Sequence, residues 1–379
     1  MYRAEKRIPL ATPTMHGEEM GYITEAFQKN WIAPLGFNCD GFEAEMGAYL
    51  ARGLDEPIHA LSLVSGTAAL HLAVKLAGVK RGDVVLCSDM TFAATVNPIC
   101  YEGGVPVFID SERETWNMDP AALERAFEKY PHTRVVMLAH LYGTPARMDE
   151  IRAICEKHGA VLIEDAAEAL SATYKGRECG TFGTFNAVSF NGNKIITTSG
   201  GGMLLTKTAE ARNKAFFWAT QAREPAPWYQ HEEIGYNYRM SNVVAGIGRG
   251  QLLHLEEHRE RKTAIYERYK KAFADLPVTM NPYLAETVPN FWLSCMLIDK
   301  ACDVDPMTVM ARLADANIEA RPIWKPMHMQ PVFAANDFIA AEAAPVDEDI
   351  FARGLCLPSD IKMTEVEQEL VIQVIKSCF

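Results

Sequence analysis

Between about residues 58 and 206, short apolar runs alternate with stretches whose apolar residues recur at helical spacing. A short run apolar on both faces marks a strand of a parallel sheet, and an amphipathic stretch between two such runs is the helix that returns the chain. The pattern predicts strands over 59–64, 84–88, 105–109, 135–140 and 161–164. It predicts helices over 67–77, 91–101, 120–129 and 148–158, with Gly78 and Gly103-Gly104 as stops and Asp119 as a cap. After 164 the helices thin out. Two short strands, 187–190 and 203–205, bracket a polar, glycine-rich stretch that mere linkage does not require. From 241 to about 274 a helical pattern runs on, expected as one continuous spine. The class is α/β: a large domain over residues 1–250 with a mostly parallel seven-stranded sheet, then a smaller C-terminal α+β domain over 251–379.

Composition narrows the picture. The chain has 379 residues, enough for two cores, and its 49% apolar and 23% charged content is that of a globular protein. No apolar run has the length of a membrane span, and the basic N-terminal stretch lacks the apolar block of an export signal, so a cytoplasmic location is expected. Nine cysteines, odd in number and without a Cys-x-x-Cys pair, suit free thiols in a reducing compartment. No His-Glu-x-x-His or clustered Cys/His spacing predicts a metal. The net charge of −12 argues against nucleic acid as a partner.

Three places carry chemistry. Ser65-Gly66-Thr67 falls where a strand ends and a helix begins, where free N–H groups favour phosphate, although the same residues suit an ordinary N-cap. Asp165 follows the apolar run Val161-Leu162-Ile163, at the sheet edge where α/β folds bind ligands; a capping role is open to it as well. Lys194 follows a strand and precedes an apolar, hydroxyl-bearing run ending in Gly200-Gly201-Gly202. A lysine is usually a solvated surface charge, but one sheltered there is a candidate nucleophile, acid and base.

The order of these signals is more specific than any one of them. With Thr91-Phe92-Ala93-Ala94, His140-Leu141-Tyr142-Gly143, Glu164-Asp165-Ala166-Ala167-Glu168, Ser189-Phe190 and Gly235-Tyr236-Asn237-Tyr238-Arg239, the chain resembles the DegT-type sugar aminotransferases from Ile8 almost to its C-terminus. These are fold-type I enzymes that use pyridoxal 5'-phosphate to aminate nucleotide-linked keto-sugars. The resemblance implies that Ser65, Gly66, Thr67 and Ser189 hold the cofactor phosphate and that Phe92 stacks on the ring. It implies that Asp165 meets the ring nitrogen, that Glu168 lies near the phenolic oxygen, and that Lys194 holds the cofactor covalently. It also implies a homodimer in which Asn237 reaches the neighbour's phosphate; the alternative from residues alone is a cap for the helix near Ser241. The chain departs from many relatives in having Ser199 before its glycines, and Glu168 where Gln or His is common. Glu168 therefore must be protonated or bond a donor.

Asn30-Trp31-Ile32-Ala33 and Trp324-Lys325-Pro326-Met327-His328 look like segments of 4-aminotransferases that take UDP-4-keto-6-deoxy-N-acetylglucosamine in bacillosamine-type pathways, with L-glutamate as donor. That likeness implies that Asn30–Ala33 and His328 lie near the sugar nucleotide; His328 equally suits a satisfied structural histidine. Arg223, Arg239, Arg321 and Lys325 are candidates for a diphosphate. Rival readings are an aminotransferase for a GDP-linked or 3-keto sugar and a non-catalytic regulator that binds a sugar nucleotide. A related dehydratase would carry His for Lys194, and a dinucleotide oxidoreductase would carry Gly-x-Gly-x-x-Gly after the first strand.

Overall fold

The computed structural model describes residues 3–379. Its central sheet has eight strands, in the order His59–Leu63, Gly202–Thr206, Phe185–Ser189, Val161–Asp165, Val135–Ala139, Val84–Ser88, Val105–Ile109 and Phe338–Ile339. Gly202–Thr206 is antiparallel to both neighbours, and the other pairings are parallel. The predicted seven strands are all present. The eighth, Phe338–Ile339, pairs with Phe108 and Ile109 from far along the chain. Two residues are too few to show a period, which is why the sequence pattern does not reveal it.

Helices form where the caps allow. Ser65 accepts the N–H of Ala68 to start Gly66–Leu76, Asp119 does the same for Ala122 ahead of Pro120–Lys129, and left-handed Gly159 closes Met148–His158. The expected single spine is two helices, Asn242–Leu252 and Leu255–Ala272. The break has a packing cause. The first segment buries Ala245 in a core with Phe42, Phe190 and Ile196, and Gly250 lets it lie against the backbone of Glu19, which a Cβ would meet at 2.7 Å. The second buries Ile265, Tyr266 and Tyr269 in a separate core with Leu313, Leu355 and Ile372. One straight helix would not serve both cores.

That second core surrounds an antiparallel sheet of Val278–Met280, Ser294–Ile298, Gly354–Leu357 and Arg321–Pro322, with helices Pro306–Asp315 and Glu365–Lys376. Ile8 joins it through a bridge to Ile318, so the N-terminal arm belongs to the C-terminal unit and does not follow the expected 1–250 division. No helix among the described residues is long and apolar enough to cross a membrane.

Candidate active site

At the C-terminal ends of the parallel strands lies a cavity of about 430 Å³, a size typical of small-ligand sites. Ser65, Gly66, Thr67, Phe92, Asp165, Glu168, Ser189 and Lys194 all line it, so the residues that local sequence signals single out converge. On one wall is the N-terminus of helix Gly66–Leu76, whose first N–H groups face anions. Gly66 has to be glycine there, because a Cβ would come within 2.9 Å of the Ser189 side chain.

Asp165 ends its strand deep in the wall. Its Oδ2 accepts the Thr95 hydroxyl at 2.7 Å and its Oδ1 accepts the Ala167 N–H at 3.0 Å. Thr91, just before helix Ala93–Tyr101, and Thr95 in its first turn are themselves hydrogen-bonded at 2.6 Å. Burial pushes the Asp165 carboxyl above the usual range, opposed chiefly by the Thr95 hydrogen bond. A cation brought against it would reverse that shift.

Lys194 follows the turn after Phe185–Ser189, with only 12% of its side chain exposed. Its ammonium lies 3.9 Å from the centre of the Trp292 ring and donates to Glu168 Oε1 at 3.4 Å. Trp292 is locked in turn by its indole N–H, which donates to the Asn193 carbonyl at 2.7 Å. Burial pushes Glu168 up to about 7 against the pull of Lys194 and of the Tyr142 N–H, which donates to Oε2 at 2.7 Å. Glu168 thus combines a raised pKa with two bonded donors. Tyr142 has a left-handed backbone (φ 52°), and its hydroxyl accepts the Trp324 N–H at 3.0 Å. Trp324 and Phe92 rings, with centres 5.5 Å apart, form the mouth.

Other predicted residues are elsewhere in the chain's own fold. Asn30, Trp31, Ile32 and Ala33 form an exposed loop fastened by Asn242, whose side-chain amide donates to the Trp31 carbonyl and whose backbone N–H donates to that of Ala33. Asn237 is exposed and does not cap the following helix: Ser241 does so by accepting the Val244 N–H. His328 turns away from the cavity. Its Nδ1 meets buried Asp89 at 2.5 Å, its Nε2 is 3.3 Å from Glu348, and its ring stacks on Phe338. Burial alone would lower its pKa, but those two carboxylates raise it above the ordinary histidine value. Arg239 is buried against Glu43 and the Ser62 carbonyl, which excludes it from binding a diphosphate.

Sequence reasoning gave no role to Thr95 or Trp292. The two hydroxyls four residues apart, Thr91 and Thr95, at the start of a helix by the sheet edge are a usable signal for the first; Trp292, nearly a hundred residues from Lys194, has no local one.

A sheltered lysine, a buried carboxylate and a helix N-terminus converging at a sheet edge define the site of a pyridoxal-phosphate enzyme. The DegT/DnrJ/EryC1/StrS aminotransferase family model matches residues 13–376, and the chain belongs to that family. It is similar to the "Putative pyridoxal phosphate-dependent aminotransferase EpsN" of Bacillus subtilis (strain 168), at 50% identity over 99% of this chain and 96% of that one. It is 36% identical to the GDP-perosamine synthase of Caulobacter vibrioides over 97% of this chain and 96% of that one. A crystal structure of a DegT DnrJ EryC1 StrS aminotransferase from Brucella abortus superposes with a TM-score of 0.86 at 26% identity, covering 95% of each chain. The protein is a pyridoxal-phosphate-dependent sugar aminotransferase.

Proposed function

We propose that this enzyme moves an amino group from L-glutamate to the 4-keto position of a nucleotide-linked 6-deoxy sugar, UDP-4-keto-6-deoxy-N-acetylglucosamine being the first choice. The observation that carries the reading is the convergence of the Lys194 amine, the Asp165 carboxylate and the Gly66 helix terminus on one cavity. The cavity fits pyridoxal phosphate: the helix N-terminus with Ser65, Thr67 and Ser189 suits its phosphate, and a carboxyl raised by burial suits a protonated ring nitrogen. When bound, that cofactor supplies a covalent carrier for the amino group and an electron sink.

The chain's own residues do the rest. Lys194 Nζ carries protons to and from the reacting carbon, held on the Trp292 face, which also keeps water off that side. Thr95 keeps Asp165 oriented and opposes the rise in its pKa that burial causes, and Phe92, at the mouth, would stack on the cofactor ring. Glu168, close to Lys194, accepts its hydrogen bond when the amine is free. Donor and acceptor use this one cavity in turn, so the kinetics are ping-pong.

Past the mouth, Trp324, Arg321 and Lys325 line a continuous depression suited to a sugar and its diphosphate. Asn237 is exposed and free of capping duty, which supports the homodimer in which it serves the partner's cofactor phosphate. The exposed loop Asn30–Ala33 is proposed to lie near the sugar nucleotide; His328, hydrogen-bonded to Asp89, lies outside the residues that line the cavity. The nine free thiols suit the reducing, cytoplasmic setting.

A second reading rests on the similarity to a GDP-perosamine synthase and replaces the uridine nucleotide by a guanosine one. Incubation with pyridoxal phosphate, glutamate and either keto-sugar, with the product identified by mass and NMR, separates them. The uridine sugar should give the higher kcat/KM. Preference for the guanosine sugar overturns the first choice, and inactivity with both sugars overturns the substrate class.

A further inference from the structure

Away from the cavity, His16 on the N-terminal arm meets the start of helix Leu255–Ala272. We propose that His16, His254 and Glu257 form a binding site for a divalent transition-metal ion of the zinc type. One ligand atom from each lies within 4.8 Å of the others. Two imidazoles and a carboxylate leave one position for water, a donor set that suits Zn²⁺ or Co²⁺ better than Mg²⁺ or Ca²⁺.

The hydrogen-bond partners fix which lone pairs are free. His258 Nδ1 is 2.6 Å from the Ile195 carbonyl, which only accepts, so this nitrogen carries the proton. In the neutral ring, His258 Nε2 is then an acceptor, and the His16 Nε2 at 2.7 Å must donate to it. That leaves His16 with Nδ1 as its free lone pair. At His254 the nitrogen nearer Glu257 is Nδ1, 3.2 Å from its Oε2. With the proton on Nε2, toward a Glu18 carboxylate oxygen 3.3 Å away, the unprotonated Nδ1 faces the Glu257 oxygen. An acceptor nitrogen facing a carboxylate oxygen is a place for a cation. Orientation of a metal-binding histidine by a second hydrogen bond is how such ligands are usually held, and His258 gives His16 that support.

The His16 and His254 rings are stacked 3.6 Å apart and 5° from parallel, so one of them turns about its Cβ–Cγ bond to converge on an ion. A bound ion would fasten the N-terminal arm to the helix. Through His258 it would also stiffen Ile195, the residue after Lys194.

The test uses full-length protein stripped with a chelator, carrying Cys100→Ser in every version so that the exposed thiol contributes no ligand. Zn²⁺ is titrated calorimetrically and Co²⁺ by visible absorption, at pH 7.5. One ion per chain is expected, with a Co²⁺ ligand-field band and a raised melting temperature. His16→Ala and His254→Gln should each weaken binding by at least about tenfold while keeping the metal-free melting curve. Absence of a stoichiometric ion, or unchanged affinity in both variants, overturns the proposal. If one variant fails to fold, the other decides alone.

Discussion

Glu164 and Glu168 stand four residues apart at the end of one strand, both buried, and meet opposite fates. Glu164 lies outside the cavity and collects donors: His140 Nε2 at 2.8 Å and the N–H groups of Gly180, Phe182 and Gly183. Burial by itself would raise its pKa, but His140 and the backbone donors bring it below the usual carboxylate value. Glu168 lines the cavity with two donors, the Tyr142 N–H and Lys194, and burial prevails, lifting it to about 7. Burial is common to both, so the supply of donors decides. The scaffold side of the strand saturates its carboxylate; the cavity side leaves one short of partners and able to exchange a proton near neutrality.

The sharpest way to break this contrast is on the cavity side. Lys194→Ala should cost at least the roughly 10²–10⁴-fold that a positioned acid–base supplies, and borohydride should then fix no cofactor to the chain. Mixing that variant with inactive Asn237→Ala under subunit exchange should restore activity toward about a quarter of wild type, because random pairing makes about half the dimers mixed, each with one intact site. No recovery despite demonstrated exchange removes Asn237 from the partner's site.

On the scaffold side, Glu164→Ala strands His140 and three N–H groups. It should lower unfolding free energy by about 3–5 kcal/mol in urea titration. A loss under about 1 kcal/mol would mean that water replaces the carboxylate and that donor supply is not what stabilises this side.

The gentlest test concerns pH. Glu168 is raised, so the folded protein binds its proton more tightly than the unfolded chain does. Its stabilising contribution is full below the usual carboxylate range and is lost as pH rises through about 7. Glu164 is lowered, so its contribution is present above that range and is lost on acidification. In cofactor-free protein, Glu168→Gln should flatten the fall in melting temperature between about pH 5 and 7.5, while Glu164→Gln should flatten the acid limb. The same slope in Glu168→Gln as in wild type would count against a carboxyl titrating near 7.

The same strand end shows what a sequence can disclose. Asp165 follows an apolar run, Lys194 precedes one, and Ser65-Gly66-Thr67 opens a helix; such signals are written within a few residues, and the sheet then gathers them at one edge. Trp292, whose ring holds the lysine, and Phe338–Ile339, which extend the sheet, arrive from the other half of the chain through contacts with no period. His328 illustrates the converse. Its neighbours suggest a ligand contact, but buried Asp89, distant in sequence, determines its partner. The break between Leu252 and Leu255 was likewise hidden, because helical periodicity on either side does not report which core each half enters.

The reversed strand Gly202–Thr206 has a consequence for how the chain assembles. Because Ser189 pairs directly with Gly202, residues 190–201 close as a hairpin loop, and Lys194 reaches the sheet edge without a helical crossover. Closing so short a loop costs little chain entropy, and contacts local in sequence form early in folding. Asp165 depends instead on strands gathered through long crossovers, Val135–Ala139 among them. The lysine's loop is therefore expected to acquire its shape before the carboxylate wall exists, and an insertion at exposed Gly200 would delay closure of that hairpin more than assembly of the parallel strands.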